Sequence, residues 1–354
     1  MDNTRKIIAI VCAAMAVLLV IGAGAFLYLN SNQKNRGSSG PGSQPTTTSN
    51  STPSTVTTTS TGFKGIFVFD NKNSTDHVTD PSIVGTYLGY YWSQLEPQKG
   101  QYNWNIIDQD MKPWIDNGKH VTIRISTAGW KSWQPPYSGN GTPQWVYAQG
   151  VSSVTETDGA IFPQYWNPTF QQDLSDFVHA FASRYDGNAH ISFIEIGVGS
   201  GGETKVDTRN NNPQRLQLWQ AIGYTDQLWF DTIKQILSMY SSSFHRTPLV
   251  VMPDDSFIGK SKGFGETLLI NYVISQHLWL QDNGLYTNSA VPDNWKQVPI
   301  VAEQRNRTSV SGDSLQDDLQ AGLNEGATYL MVFSSDITPA NQSALQQVAT
   351  KAQP

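Results

Sequence analysis

Three glutamates stand where strand alternation and a glycine-rich loop can gather carboxylates. Glu195 and Glu203 lie in "FIEIGVGSGGET" (193–204), and Glu303 ends "VPIVAE" (298–303). A carboxyl pair can divide labour: partial burial or a like-charged neighbour keeps one protonated as an acid, while the other stays ionised to attack. In "ISFIEIG" (191–197), Ile194 and Ile196 share one face, and Phe193 and Glu195 share the other. In "HVTIRIS" (120–126), Val121, Ile123 and Ile125 point one way and Arg124 the other. Packing the aliphatic faces on helices turns Arg124, Glu195 and Glu303 inward. Such charges are costly to bury unpaired, so a structural Arg124–Glu195 salt bridge stands beside a catalytic role for Glu195.

The elements that would position these residues recur along the chain. Short β-rich runs occur at 65–70, 85–92, 120–126, 191–197, 248–252, 277–282, 298–303 and 328–334. Most are separated by amphipathic stretches. In "PTFQQDLSDFVHAFASRY" (168–185), Phe170, Leu174, Phe177, Val178 and Phe181 follow helical spacing; 224–240 and 315–327 behave similarly. Eight strands alternating with helices predict an eight-fold β/α (TIM) barrel over residues 63–354, with its site at the C-terminal mouth. The alternative, an open doubly wound sheet, usually carries a glycine-rich nucleotide loop after its first strand. No GxGxxG or Walker loop is present.

The rest of the chain bounds its setting. Residues 7–29 form an uncharged, apolar run long enough to span a bilayer, preceded by Arg5 and Lys6. We read residues 1–30 as a single-pass membrane anchor with the barrel outside the cytoplasm; cleavage of a signal-like segment would instead secrete it. Residues 31–62 read as a disordered stalk, since Ser and Thr fill 13 of the 16 positions from 46 to 61. The only cysteine, Cys12, lies in the apolar run. A net charge of −6 with no basic cluster in the globular part argues against nucleic acid. Six scattered histidines without HExxH or paired-cysteine spacing argue against a metal, and no cofactor is expected.

"YYWSQLEPQKGQYNWNIIDQDMKPWIDNGKHVTIRIS" (90–126) resembles a stretch of retaining β/α-barrel glycoside hydrolases of the cellulase, xylanase and beta-galactosidase clan. Trp92, Leu95, Glu96, Pro97, Gly100, Tyr102 and Trp104 match its strand-two pattern, and Gly118, Lys119, Val121 and Arg124 its strand three. "FASRYDGNAHISFIEIG" (181–197) is similar to the segment leading to the clan's acid/base. There the pattern departs: Val198, Gly199 and Ser200 stand where Asn-Glu-Pro is usual, and Glu203 follows in a GxxGxxGE-like loop.

The resemblance implies O-glycosidic bond hydrolysis by two carboxylates and a retaining outcome, which the displaced glutamate leaves open. It makes Glu303 the nucleophile. Glu203 becomes the acid/base, if the glycine-rich loop folds back over the mouth, with Glu195 as the in-barrel alternative. Arg124 or Arg305 would hold Glu303 ionised. Flat rings suit sugar faces, which nominates Trp92, Trp130, Trp133 and Trp166 as carbohydrate contacts. Asp282 and Gln304 are candidate hydroxyl ligands, with Asp70, Asp254 and Asp255 behind them. The competing reading is a carbohydrate-binding or surface-structural barrel without catalysis.

Overall fold

The computed structural model describes residues 62–70, 73–129, 140–155, 159–207, 212–254 and 264–353. The chain divides into units Met1–Val56 and Thr57–Pro354, and the described residues all fall in the second. The expected anchor and nearly all of the stalk lie outside the described residues, as do Trp130, Trp133 and Asp255. No described helix is long and apolar enough to cross a membrane.

Eight parallel strands close into a barrel, as the alternation predicts. In chain order, strands one to eight are Gly65–Phe69, Ile83–Tyr91, His120–Ser126, Ile191–Glu195, Leu249–Val251, Trp279–Leu285, Ile300–Gln304 and Ala327–Phe333. Each pairs with its sequence neighbours, and strand eight returns to strand one through Tyr329 opposite Gly65 and Phe333 opposite Phe69. Helices pack outside. Pro168–Tyr185 follows strand three and matches the predicted span; Asn167 caps it, accepting from the Thr169 and Phe170 amides, with Pro168 in the first turn. Leu315–Glu325 follows strand seven and ends on Gly326 at φ 85°, a left-handed position natural to glycine. The connection from strand six to strand seven carries only the 3-10 turn Asp293–Gln297. The loop after strand three holds a small antiparallel pair, Ser153–Thr155 with Ile161–Pro163, which the sequence pattern had not suggested.

Side-chain parity divides the core in two. Ile123, Ile125, Ile194, Ile196, Leu280 and Ala302 face the helices. Phe67, Tyr87, Tyr91, Phe193, Val250, Val301 and Met331 fill the barrel. Near its base the Phe67, Phe193 and Tyr329 rings lie 5.1 to 5.6 Å apart. This aromatic plug is a solid floor, so only the upper part of the interior is available to polar groups.

The strand-two motif proves to be a structural corner. Glu96 takes a hydrogen bond from Trp92 Nε1 at 2.7 Å and another from the Gly100 amide at 2.7 Å. Its backbone carbonyl accepts from Trp145 Nε1 at 3.0 Å. Trp92 is fully buried beside Trp145, Phe170 and Phe177 on the outer side of the barrel. Replacing Glu96 by Ala strands the indole N–H and the Gly100 amide. We expect a loss of roughly 1–3 kcal/mol in urea unfolding, with Glu96→Gln, whose single acceptor oxygen serves only one of the two donors, recovering at most about half of that loss; an unchanged midpoint for Glu96→Ala would remove the corner's role.

Candidate active site

Arg124, Glu195 and Glu303 all turn into the upper barrel. Arg124 Nη1 lies 3.5 Å from Glu195 Oε2, and both side chains are buried. The guanidinium also donates to Tyr87 Oη at 2.7 Å and to Met252 Sδ at 2.9 Å, and it sits 4.7 Å from the Tyr87 ring centre. Glu195 receives a further hydrogen bond from Thr122 Oγ1 at 3.4 Å. Burial nevertheless lifts Glu195 to a pKa of about 7, with Arg124 and Thr122 pulling it back only in part.

Glu303 stands at the barrel's rim. Its Oε2 accepts from Gln281 Nε2 at 2.9 Å. Burial raises its pKa to about 8; Arg124 opposes the rise, and the charges of Glu195, Glu203 and Asp282 add to it.

Glu203 reaches the same place by a different route. Beyond strand four the chain turns back on itself. Gly199 N donates to Glu203 O at 2.8 Å, Val198 N to Gly202 O at 3.1 Å, and Gly201 N to Ala128 O at 2.9 Å. Gly201 and Gly202 hold φ of 67° and 91°. A Cβ on Gly202 would lie 2.6 Å from Arg124 Cδ, so glycine is needed for both backbone shape and close approach. The loop delivers Glu203 with both oxygens engaged, one by Asn283 Nδ2 at 2.8 Å and the other by the Lys205 ammonium. Lys205 also donates to Asp254 Oδ2 at 2.7 Å. Burial by itself pulls the lysine's pKa down, but Glu203 and Asp254 outweigh it and the pKa is raised.

Two side-chain amides join the carboxylates. Gln281 Nε2 donates to Glu303 and, at 2.9 Å, to Asn283 Oδ1, while Asn283 donates to Glu203. The bridge holds the Glu203 and Glu303 oxygens within at most about 11 Å of each other. Neither amide was singled out from the sequence. Alternation could have found them: Leu280 faces the helices, so Gln281 and Asn283 turn inward and Asp282 does not.

The other nominated contacts fall elsewhere. Asp282 accepts from the Gly284 amide at 2.9 Å in the irregular end of strand six, and burial raises its pKa. Gln304 is buried on the outer side of the barrel wall, donating to Asp318 at 3.1 Å and Asp336 at 3.0 Å and accepting from Phe333 N at 3.2 Å. These bonds leave it no amide group for a sugar. Trp92 lies in the outer core. Trp166 packs 6.0 Å from Trp219 and donates to Ile222 O at 3.2 Å. Asp70 pairs with Arg307, while Arg305 lies 5.9 Å from the Tyr286 ring centre and away from any ion pair among the described residues. No metal-binding cluster of His, Cys, Asp or Glu occurs among the described residues.

The beta-galactosidase model of glycoside hydrolase family 42 matches residues 82–244. Among solved structures, the catalytic domain of beta-amylase from Paenibacillus polymyxa superimposes with a TM-score of 0.60 at 11% identity, covering 83% of this chain and 99% of that one. This likeness concerns the fold alone. No curated protein matches the sequence. With the family match over strands two to four, the chain is a β/α-barrel glycoside hydrolase.

The raised carboxyls carry a pH signature. Glu195 and Glu303 hold protons in the folded protein that the unfolded chain releases. The stability they contribute is full below about pH 4 and is lost as pH rises toward their folded values of about 7 and about 8. The free energy of unfolding measured in urea should therefore fall as pH rises from about 5 to about 8, by up to about 1.4 kcal/mol per pH unit for each group. Glu303→Gln should flatten that slope; parallel slopes in wild type and variant would contradict the burial argument.

Proposed function

We propose that this glycoside hydrolase acts outside the cytoplasm on an oligo- or polysaccharide, with Glu203 and Glu303 as its carboxylate pair and retention of anomeric configuration. The observation that carries the reading is the Gln281–Asn283 bridge, which fixes a loop carboxylate and a strand-end carboxylate together at the C-terminal mouth. Hydrolysis of this kind needs two carboxyls on either side of the scissile bond. Glu303, at the end of strand seven, attacks the anomeric carbon. Glu203 protonates the leaving oxygen and then deprotonates the water that resolves the intermediate. Arg124 supports the charge on Glu303, and Glu195 holds Arg124. The loop compensates for the missing strand-four glutamate by bringing Glu203 in from above. The name of the matched family makes β-galactosides the first substrates to try. The apolar run at residues 7–29 supports tethering to a membrane, with release on cleavage as the variant of the same reading.

One observation favours exchanged roles. Burial places a proton on Glu303 near neutral pH, while Glu203 is bonded by an ammonium and an amide, both donors. In that reading Glu303 is the acid and Glu203 the attacking carboxylate. The pH dependence of kcat/KM separates them. Activity that rises as Glu303 ionises toward about pH 8 supports attack by Glu303, and activity that falls there supports the exchange.

The decisive kinetic comparison uses p-nitrophenyl glycosides, β-D-galactoside first. Glu303→Gln and Glu203→Gln should each lower kcat/KM by roughly 10²–10⁴-fold. Azide should partly restore Glu203→Gln and give a glycosyl azide of retained configuration. A retained azide from Glu303→Gln, with an inverted azide from Glu203→Gln, would assign the two roles the other way. Wild-type protein that binds glycans but cleaves none of a broad panel would instead make the barrel a lectin.

A further inference from the structure

We propose that a cavity at the outer ends of strands six and seven binds one neutral pyranose of a longer substrate chain. The inference rests on the hydrolase reading and extends its site outward from the carboxylates. The cavity measures about 160 Å³ and is lined by Tyr286, Arg305, Asn306, Asp313 and Asp318, among others. That is well below the roughly 300–1,000 Å³ that a drug-sized ligand fills, and is room for a single ring.

Its position follows from connectivity. Arg305 comes two residues after Glu303, and Tyr286 three after Asn283, which holds Glu203. At about 3.3 Å per extended residue, the cavity begins roughly 7–10 Å along the chain from the carboxylate bridge. The Arg305 amide donates to Leu285 O at 2.8 Å, so the two strand ends that frame the cavity are tied together. Asp318 lies in the first turn of helix Leu315–Glu325 and is fixed by Thr287 Oγ1 at 3.2 Å and Gln304 Nε2 at 3.1 Å. Gln304 thus serves the site from behind, as a brace for the cavity wall.

The lining chemistry selects the ligand class. Tyr286 is a large ring left 39% exposed, a flat surface for the C–H face of a pyranose. Arg305 and Asp313 line the same cavity, yet neither forms an ion pair among the described residues. The guanidinium and the Asn306 amide can donate to hydroxyl oxygens, and the carboxylates can accept from hydroxyl protons. Asp313 and Asp318 disfavour phosphate or a uronic acid, and Arg305 disfavours a cation. A neutral polyol satisfies both signs at once.

The test is chain-length dependence. Wild type, Tyr286→Ala and Arg305→Met are compared on p-nitrophenyl β-D-galactoside and on β-1,4-linked galacto-, gluco-, manno- and xylotetraose. The ratio of kcat/KM on a tetraose to that on the aryl glycoside should fall about 10-fold in each variant, through KM, which corresponds to about 1.4 kcal/mol of lost binding. An unchanged ratio in both variants overturns the cavity's role while leaving the hydrolase reading intact. If the wild type cleaves none of these sugars, calorimetric titration with the four tetraoses decides alone. Binding that Tyr286→Ala weakens about 10-fold sustains the subsite, and binding that it leaves unchanged, or no binding at all, rejects it.

Discussion

Arg124 is the charge on which the upper half of the barrel depends. Below it lie close-packed aromatic rings; beside and above it are the buried Glu195 and Glu303, and Glu203, which is partly open to solvent. A guanidinium in such a place must be held on several sides or it costs more than it contributes. Tyr87 supplies a hydroxyl and a ring face, Met252 a sulfur, and Glu195 a counter-charge. Even so, one cation does not offset the desolvation of the acids around it, and Glu195 and Glu303 both rise well above the ordinary carboxyl range. The interior is therefore poised to exchange protons near neutral pH, a property a merely structural ion pair does not need.

The glycine-rich loop is shaped by the same cation. Gly202 rests on the Arg124 side chain so closely that no other residue fits without displacement, and the turn through Gly201 and Gly202 requires left-handed backbone twice over. With the loop seated, Glu203 comes to lie between Lys205 and Asn283, and Lys205 in turn reaches Asp254 beyond strand five. Strands four, five and six are joined through one carboxylate. A barrel that lacks a glutamate at the expected strand end can thus recover one from four residues later, because the loop's path is fixed by hydrogen bonds to its own backbone and to Ala128.

Much of this was legible in the sequence, for a definite reason. Period-two alternation is a strong signal when one strand face is wholly aliphatic, as in "ISFIEIG" and "HVTIRIS", and the inward set Arg124, Glu195 and Glu303 follows from it directly. Strand six misled because a carboxylate drew attention away from parity: Asp282 faces off the barrel axis, and its uncharged neighbours Gln281 and Asn283 make the contacts. Trp92 and Trp166 misled for a different reason. A large ring suits a sugar face and a hydrophobic core equally well by type, and sequence does not say which surface it meets. Trp92 fills the layer between barrel and helices, and Trp166 covers its edge. The family-like motif around Glu96 combined both problems, since its residues hold a corner together rather than touch the mouth.

The distribution of exposure argues about which carboxylates can share the chemistry. Glu195 has no exposed surface, and its oxygens meet Thr122 and Arg124 from within the strand layer. For Glu195 to deliver a proton, a glycosidic oxygen would have to pass Arg124, which is packed under Gly202. The Glu203 side chain keeps 19% of its surface, and Glu303 keeps 8%, both above that seal. A general acid or nucleophile must come within about 3 Å of the reacting atom, which the two upper glutamates can do and the lower one cannot without dismantling the cation's support. In the mechanism we propose, Glu195 thus acts through Arg124: its charge fixes the guanidinium, the guanidinium moderates Glu303, and the reacting bond is left to the pair joined by Gln281 and Asn283.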